Sequence, residues 1–519
     1  MTDVNQSPAE TEHHLVVTPP HPAGPGLVKP DYHPRLTNED LAPLKEQTWS
    51  TYNIFAFWMS DVHSVGGYVT AGSLFALGLT SWQVFVALIV GIVIVQFFCN
   101  LVAKPSQVAG VPYPVICRAS FGVLGANIPA IIRGLIAVAW YGVQTFLAAG
   151  SLNIVFLKLW PDLAPYADVD QHGFVGLSAL GYVSFAILWV AQAAVFWRGM
   201  EAIRRFIDFC GPAVYVAMLA VCAYMLVRAD WDINLTLSDK ELSTSATITT
   251  MLGAIALVVS YFSGPMLNFG DFSRYGKSFE TVKRGNFWGL PVNFLAFSLL
   301  VVVTASATVP VFGELLTDPV ETVQRIDTLT AVLLGGLTFV IATVGINIVA
   351  NFISPAFDFS NVAPQRISWR MGGMIAAVGS VLLTPWNWYS DPDAIFWTLG
   401  LLGALIGPLF GILIADYYLI RRQVVVVDDL FSLDERRSYY YHRGYNPAAV
   451  ISVVFSGALA IISVVVPKLA DVLTWLPDYS WFLGCGLGFV TYYFLARAMG
   501  VGDTEARTGT PSTTTAATA

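Results

Sequence analysis

Long apolar runs alternate with short polar segments along most of the chain, from Thr51 to Gly500. Each run is long enough to cross the ~30 Å hydrocarbon core of a bilayer as a helix, which takes about 20 residues. The alternating segments of ~10 residues that mark a transmembrane β-barrel are absent from the sequence. We therefore predict an all-α integral membrane protein with about twelve transmembrane helices. The predicted spans are 50–77, 83–103, 125–157, 173–197, 206–228, 248–271, 287–309, 328–353, 371–387, 394–419, 446–467 and 479–499.

Composition favours a membrane protein over a soluble one. Only 12% of the 519 residues are charged and 55% are hydrophobic, whereas a soluble protein has about 25% charged residues. Most of the 27 Lys and Arg residues fall in alternate loops, on the side of the membrane that also holds the N-terminus. The positive-inside rule then makes both termini cytoplasmic. We expect a multi-pass protein of the cell (plasma or inner) membrane.

The two ends of the chain differ from the apolar part. Residues 1–46 are polar and rich in proline, and we predict a disordered cytoplasmic tail there. Residues 501–519 end in a tract of Thr, Ala and Ser, for which we predict a second disordered cytoplasmic tail. The predicted twelve-helix domain covers residues 47–500.

Motifs of an enzyme or a metal site are absent from the sequence. The seven His residues are scattered and the five Cys residues form no CxxC pair; HExxH and GxSxG do not occur either. We therefore predict no enzymatic activity, no cofactor and no resident metal. A channel is the second alternative, but no segment resembles a selectivity filter. Saturable, accumulative uptake would separate a carrier from a channel.

Two predicted spans are interrupted by polar or helix-breaking residues. The first contains the polar segment Ser60–Ser64 followed by Gly66–Gly67, and the sixth contains Gly264–Pro265. Proline removes a backbone donor, and freed backbone groups in lipid are costly unless they line a cavity or find partners. The two breaks occupy matching positions if the chain consists of two five-helix repeats plus two helices. Such a match is the best sequence indication of a binding site at the membrane midplane.

Two further spans carry amides at helical spacing. Gln144 follows Trp140 by four residues in the third span, and Asn351 follows Asn347 by four in the eighth, so each pair shares one face of its helix. Amides can also join membrane helices to each other; we favour solute contact for Gln144 and Asn351, less so for Asn347. Amides beside aromatic faces suit a flat, neutral ring with hydrogen-bonding edges. Clustered basic residues are absent from the spans, which argues against nucleotides and organic acids.

The segments around these residues resemble the nucleobase:cation symporter-1 family, whose members include hydantoin, allantoin, cytosine and uracil permeases. The similarity runs from about Asn38 to Arg497. It implies a LeuT-type fold, with two inverted five-helix repeats, discontinuous helices 1 and 6, and two further C-terminal helices. The segments that carry the resemblance are Trp58–Ser64, Gly110–Pro114, Arg118–Gly122, Trp140–Gln144, Asn351–Pro355, Gly407–Pro408 and Ala415–Tyr418.

The resemblance also implies a set of solute-binding residues. Trp140 and Phe262 would stack on the ring, and Gln144 and Asn351 would hydrogen-bond its edge. Ser64 and Phe262 stand where the hydantoin carrier has glutamine and tryptophan, which weakens the case for hydantoin itself. Uracil or a related pyrimidine is the first prediction, allantoin or hydantoin is close behind, and an amino acid is the alternative. The predicted solute-binding residues are Trp140, Gln144, Phe262, Asn351, Ser64 and Tyr261.

The sodium site of the family is matched only in part. Its oxygen ligands would come from the backbone of Ser60, His63 and Ala342, but its two hydroxyl positions fall on Gly345 and Ile346, which have no side-chain oxygen. A hard cation such as Na⁺ prefers several oxygen ligands. We therefore predict H⁺ as the coupling ion, with Na⁺ as the alternative.

Two protonatable residues, Asp61 and His63, lie beside the first break. Ionisable residues inside a membrane are functional by default, so we predict that one of them takes the coupling proton. The alternative for Asp61 is a cap on the second half-helix or a pair with another polar group.

Asp271 and Arg274 follow the sixth span and are gate candidates, although we favour a simple interfacial ion pair. Arg133 is expected near a membrane end. The expected partners are a small-molecule solute and the lipid bilayer, without nucleic acid. We expect a monomer.

Overall fold

A computed structural model of the protein describes residues 26–63, 65–235, 242–317, 319–326, 328–389, 392–470, 473 and 475–502. Over these residues the chain is mostly helical, with one small hairpin. In that hairpin, β1 (Gly173–Phe174) pairs antiparallel with β2 (Leu177–Ser178), which places Gly173 opposite Ser178. The apolar runs of the sequence form the long helices, because a helix satisfies its backbone groups internally.

The first half of the chain forms three long helices, several shorter ones and an interrupted first helix. The helices are α1 (Thr51–Val62), α2 (Val65–Ser73), α3 (Ser81–Ala109), α4 (Tyr113–Phe121), α5 (Asn127–Leu159), α6 (Ala164–Ala167), α7 (Val169–His172), α8 (Ala179–Trp197) and α9 (Met200–Arg228).

The second half continues with helices of similar lengths. They are α10 (Thr244–Leu267), α11 (Gly270–Ser273), α12 (Phe279–Phe287), α13 (Asn293–Phe312), α14 (Pro319–Arg325), α15 (Leu329–Ile348), α16 (Ser354–Val362), α17 (Trp369–Leu382), α18 (Pro392–Ile414), α19 (Pro447–Ala470) and α20 (Ser480–Ala498). Wider π-helical turns connect α12 to α13 (Trp288–Val292), connect α15 to α16 (Val349–Ile353) and extend α18 (Ala415–Ile420).

The packing of these helices places the interrupted first helix among the others. The first segment, α1, packs against α9, α12 and α15, and the second, α2, packs against α5 and α13. Around them, α5 packs on α15 and α16, α3 packs on α10 and α13, and α18 packs on α20. Residues of α1, α5, α10 and α15–α16 therefore meet in the interior of the protein.

Among the described residues, nine helical segments are long and apolar enough to cross a membrane. They coincide with nine of the predicted spans, while the other three predictions fall on the interrupted α1–α2, the short α17, and α20. The total of twelve therefore stays a prediction. Large apolar side chains cover much of the outer surface, for example Phe97, Phe209, Val216, Val454 and Phe494, as expected of a protein whose solvent is lipid.

The first predicted break is present, but the second is displaced. α1 ends at Val62, His63 adopts a non-helical backbone and α2 begins at Val65. In contrast, α10 continues through Gly264–Pro265 to Leu267, and the chain leaves the helix only before α11. A proline removes one backbone donor, and this one lies in the last turn of α10, so little of the helical ladder is lost.

Residues 26–46 do not match the predicted disordered tail, because they pack on one end of the helix bundle. Leu36 and Leu41 are buried, the Leu44 amide donates to the Gly110 carbonyl at 3.0 Å, and Lys29 pairs with Asp428 at 2.7 Å. Apolar anchors between the polar and proline residues explain the difference. We call this end of the bundle the N-terminal face. Residues 1–25 and 503–519, which hold the rest of the predicted tails, lie outside the described residues.

Candidate solute and cation site

The break in the first helix lies directly against the middle of α5. A Cβ atom built on Gly66 would stand 2.6 Å from Nε2 of Gln144, so a side chain at this position would displace the amide. Gln144 is only 2% exposed, and its Oε1 has no hydrogen-bond partner among the described residues. Because buried polar atoms are nearly always bonded, an open acceptor beside a helix break is suited to a ligand. The predicted solute-binding residue Ser64 lies outside the described residues.

Aromatic rings gather beside Gln144. The Trp140 ring meets Tyr261 edge to face, with centroids 5.5 Å apart, and meets Tyr389 at 5.7 Å. Phe262 contacts Tyr261 at 5.1 Å but otherwise packs on Phe294, at 5.4 Å. The aromatic group beside the amide is therefore Trp140, Tyr261 and Tyr389, with Phe262 behind it. Sequence reasoning missed Tyr389, because it lies in the loop between α17 and α18 and carries no helical periodicity.

The amides of α15 and its π-helical turn form a network instead of two independent ligands. Asn351 Nδ2 donates to Asn347 Oδ1 at 3.1 Å, and Asn347 Nδ2 is 2.7 Å from Gln192 Oε1 and 2.9 Å from Thr145 Oγ1. Asn347 thus joins α15 to α5 and α8 and holds Asn351 in place, which fits the helix-joining role that the sequence left open. Gln192 and Thr145 were missed; the signal available was a lone amide in the apolar run of α8.

A cavity of about 630 Å³ lies between α5 and α18. Trp140, Val143, Tyr389 and Thr398 are among the residues that line it, and the lining is mostly apolar. The amides of Gln144 and Asn351 are not part of this lining. Trp140 and Tyr389 therefore belong both to the open cavity and to the closely packed aromatic group.

Two of the predicted cation-coupling residues, Ser60 and Gly345, lie close together at the end of α1. A Cβ atom on Gly345 would stand 4.0 Å from Ser60 Oγ and 3.6 Å from Cys210 Cβ. Ser60 Oγ is buried without a hydrogen-bond partner among the described residues, and Ala342 lies buried one turn earlier on α15. The residues around Gly345 and Ser60 therefore include the thiol of Cys210 but no added hydroxyl group. A thiol is a soft ligand that suits Na⁺ poorly.

Asp61 and His63 are both buried, but they face different surroundings. The His63 Nδ1 atom is 3.0 Å from the Tyr68 hydroxyl, and its ring packs on Tyr215 at 4.1 Å. Asp61 lies in the electrostatic field of Arg133, and its Oδ1 has no donor among the described residues. His63 Nε2 also has no hydrogen-bond partner among the described residues. The two groups therefore differ in their neighbours: His63 packs among aromatic rings, whereas Asp61 lies near the charge of Arg133.

Asp271 and Arg274 are buried at the N-terminal face, each with partners other than its neighbour. Asp271 accepts from the Tyr113 amide at 2.9 Å and from Asn268 Nδ2 at 3.2 Å. Arg274 donates to the Asp40 carbonyl at 3.1 Å and stacks over Phe357. The favoured interfacial ion pair is therefore replaced by contacts that tie α11 to α4 and to the N-terminal segment.

Two further charged residues, Arg133 and Asp358, are buried inside the helix bundle. Arg133 donates to the Gly264 carbonyl, to Asn268 Oδ1 and to the Ala350 carbonyl, each at 3.2 Å. Arg133 lies in the second turn of helix α5, and its expected position near a membrane end stays a prediction. Asp358 was missed altogether, since its segment lies beyond the predicted eighth span.

Together, an interrupted helix, a buried open amide, an aromatic group and a membrane-spanning helical fold define a multi-pass permease for small solutes. The chain belongs to the nucleobase:cation symporter-1 family, since the family described as permease for cytosine/purines, uracil, thiamine and allantoin matches residues 42–484. The resemblance seen in the sequence and the LeuT-type fold are thereby confirmed. The protein is a transporter rather than an enzyme, as predicted.

Individual relatives agree with this assignment. The chain is 33% identical over 466 residues to the allantoin permease of Bacillus subtilis, which covers 89% of this chain and 94% of the relative. It is 30% identical to a purine-uracil permease of Arabidopsis thaliana, over 83% of this chain and 72% of the relative. The solved structure of the family member Mhp1, closed with bromovinylhydantoin bound, has a TM-score of 0.71 at 20% identity and covers 92% of this chain and 99% of that one.

Proposed function

We propose that this protein imports a small planar solute with a nucleobase-like edge by proton symport. Uracil or a related pyrimidine is the preferred solute, with allantoin or hydantoin close behind. The observation that carries the proposal is the open, buried acceptor of Gln144, held against Gly66 at the helix break and beside the aromatic group.

The hydrogen-bonding pattern supports a ring that contains a ureide or imide. Such rings alternate N–H donors and C=O acceptors along one edge, and a side-chain amide can accept from one and donate to the other. Gln144 offers Oε1 for this purpose, while Asn351 is oriented by Asn347. A zwitterionic amino acid, the alternative solute, would need charged or dipolar partners at both of its ends.

Aromatic packing supports a flat solute over a compact one. Trp140 and Tyr261 contact each other edge to face. Aromatic rings also pair in an offset-stacked geometry, which a flat solute ring could adopt against either side chain. Tyr389 closes the other side of Trp140. A ring entering from the cavity beside α18 would therefore meet Trp140 first and then reach the Gln144 amide.

Asp61 is the proposed site of the coupling proton. It is buried at the last turn of α1, one residue from Ser60 and beside the break, where a change of packing on solute binding alters its surroundings. The glycine and thiol neighbours of Ser60 weaken the case for Na⁺, which stays the alternative coupling ion. We also propose the orientation that the positive-inside rule predicts, with the N-terminal face in the cytoplasm.

Binding of radiolabelled uracil, allantoin and hydantoin to the purified full chain tests the solute. Gln144→Ala and Asn351→Ala should each weaken binding of the preferred ring at least about tenfold, which corresponds to loss of one hydrogen bond of roughly 1.4 kcal/mol. Gln365→Ala, an exposed glutamine on the N-terminal face, is the matched control and should bind normally. Unchanged affinity in both site variants, or displacement of the label by amino acids instead of rings, would contradict the proposal.

Uptake into proteoliposomes tests the coupling ion. An imposed pH gradient, acidic outside, should drive accumulation in the wild type, and Asp61→Asn should keep solute exchange but lose gradient-driven accumulation. Accumulation that requires a Na⁺ gradient and ignores pH would replace the proton with Na⁺.

A further inference from the structure

A second layer of polar residues lies two helical turns from the candidate solute site. Arg133 precedes Trp140 by seven residues, Asn268 follows Tyr261 by seven, and Asp358 follows Asn351 by seven. Seven residues are about two turns and roughly 10 Å of helix, which returns a side chain to the same face. All three steps lead toward the N-terminal face. This set, with Asp271, is called the charged layer.

Hydrogen bonds connect most of the charged layer across four helices. Arg133 of α5 donates to Asn268 Oδ1 at the end of α10, and Asn268 Nδ2 donates to Asp271 Oδ2 of α11 at 3.2 Å. Asp271 Oδ1 accepts from the Tyr113 amide at the start of α4. With two donors, Asp271 has the surroundings of an ionised carboxylate.

Asp358 is the exception in this layer. It is 0% exposed, and neither of its carboxylate oxygens has a hydrogen-bond donor among the described residues. Arg133 uses Nε and Nη2 to donate to two backbone carbonyls and Asn268, and its Nη1 has no hydrogen-bond partner among the described residues, so it does not bond Asp358. A buried carboxylate without donors is far costlier than the neutral acid. Asp271 and Asp358 are neighbouring carboxyl groups in different surroundings. This arrangement favours the ionised form of Asp271 together with the protonated form of Asp358.

Within the described part of the chain, none of the other ionisable groups around Asp358 donates a hydrogen bond to it. Those that interact with it electrostatically are Asp271, Arg133, and Tyr113 and Cys117 of α4. Arg118 of α4 is bound instead to Asn361 at 2.6 Å and to the Leu430 carbonyl. Arg370 of α17 stacks over Trp197 at the surface. Arg274 is the remaining cation nearby, and it donates to the Asp40 carbonyl and the Tyr275 hydroxyl.

We propose that Asp358 binds a proton in this closed conformation and that the charged layer is a proton-controlled lock between the solute site and the N-terminal face. When the face opens, water reaches Asp358, its O–H bond breaks, and the proton passes to water. The resulting carboxylate is then solvated, so the open form is stabilised. This inference rests on the proposed proton symport and adds a proton-release group that is distinct from Asp61.

The N-terminal segment covers this lock. Arg274 lies over the ring of Phe357, the residue before Asp358, at 4.7 Å, and is held by the Asp40 carbonyl. Asn38 donates to Ser360 Oγ at 2.9 Å, on the next turn of α16. Opening the face therefore requires these contacts to separate, which makes residues 38–40 and 270–274 suitable reporters of the open state.

Hydrogen–deuterium exchange of the full chain in lipid nanodiscs, without solute, tests the proposal. The closed form holds one more proton than the open form, so the protection factors at 270–276 and 354–362, which are the intrinsic exchange rates divided by the observed rates at each pH, should fall by up to about tenfold per pH unit as pH increases from 5.5 to 8.5. In Asp358→Asn, which imitates the protonated acid, these protection factors should stay high and independent of pH. The control Asp434→Asn removes an exposed carboxylate paired with Arg436 and should behave as the wild type.

A second variant keeps the test decisive if Asp358→Asn does not fold. Asp271→Asn removes the neighbouring carboxylate, which already has two donors, and leaves Asp358 in place, so protection should still fall as pH rises. Loss of the response in Asp271→Asn, or an unchanged response in Asp358→Asn, would overturn the proposal. Because no solute is added, failure of the proposed solute leaves this result intact. Protection factors that do not change with pH, in a protein that transports rings, would overturn the lock alone.

Discussion

Asp416 and Asp358 are both buried toward the N-terminal face, and their surroundings are opposite. Asp416 accepts from Arg421 Nε at 2.7 Å, from Ser120 Oγ at 2.8 Å and from the Tyr492 hydroxyl at 2.5 Å. Asp358 has no donor among the described residues. Burial alone therefore does not distinguish a structural carboxylate from a functional one. The number of carboxylate oxygens that accept hydrogen bonds does, since buried groups without such bonds persist where function requires them.

The satisfied carboxylate belongs to a latch of the scaffold. The Asp416–Arg421 pair, with both side chains 1% exposed, joins the end of α18 to α4 and α20 through Ser120 and Tyr492. Arg421 also bonds the Ala119 carbonyl. A network in which the carboxylate and the guanidinium both have hydrogen-bond partners can hold helices in one arrangement. In the charged layer, by contrast, the carboxyl group of Asp358 can gain or lose a proton.

The largest expected effect comes from breaking the latch. Asp416→Asn should lower the stability of the folded protein by about 3–5 kcal/mol, the usual result of removing one partner of a buried ion pair. Asp358→Asn should leave stability unchanged or raise it, because it replaces an acid that is already neutral. Thermal unfolding of both variants in the same detergent measures the difference. Equal losses would erase the distinction between the two carboxylates.

A smaller effect separates the two kinds of amide in the solute site. Asn347→Ala should destabilise the fold by roughly 1–3 kcal/mol, since it leaves the buried Gln192 Oε1 without its donor. It should also weaken ring binding by freeing Asn351. Gln144→Ala should weaken binding with little loss of stability, because its Oε1 has no protein partner to lose. Paired melting curves and binding isotherms decide the matter; a Gln144→Ala protein as unstable as Asn347→Ala would make Gln144 structural.

Much of this site could be predicted from the sequence, for a physical reason. Trp140, Gln144, Asn347 and Asn351 stand out because polar residues at four-residue spacing are rare and costly in an apolar run. The break after Val62 was visible as polar residues before a glycine pair. Periodicity thus revealed residues whose chemistry conflicts with lipid.

The rest depended on distances that no spacing encodes. Tyr389 reaches the site from a loop, and the partners of Arg133 come from α10 and the turn after α15. The end of α10 was misplaced, because a proline in the last turn removes only one helical bond. Residues 26–46 were assigned to a tail on composition, although a few buried leucines are enough to anchor them.

Substitution of Gly66 tests the role of the Gln144 amide in ring binding, with a smaller expected effect than the substitutions above. Gly66→Ala would place a Cβ atom 2.6 Å from the Gln144 amide, and the amide, at the end of a flexible side chain, would shift aside. Ring affinity should fall about tenfold, which is 1.4 kcal/mol, with a normal melting temperature. Gly457→Ala, at a helical glycine where a Cβ atom meets nothing within 4 Å, is the control. Normal affinity in Gly66→Ala would separate the amide from binding.

The smallest effect is expected at an exposed carboxylate. Hydrogen bonds from the Arg436 side chain and backbone lower the pKa of Asp434 to about 2. Its ionised form is favoured in the folded protein, so any stabilisation is present above the ordinary Asp pKa of about 4 and is lost as pH falls through about 2. Asp434→Asn should therefore shift the melting temperature by the same small amount at every pH from 5 to 8. A shift that varies over this range would contradict the assignment.

The most direct test of the account is a cryo-electron microscopy structure of the full chain with its preferred ring bound. We expect the ring between Trp140 and Tyr261, with one ring N–H within hydrogen-bond distance of Gln144 Oε1 and one ring carbonyl near an amide of Gln144 or Asn351. A ring bound only in the apolar cavity beside Trp397 and Leu401, with Gln144 still unpartnered, would contradict it.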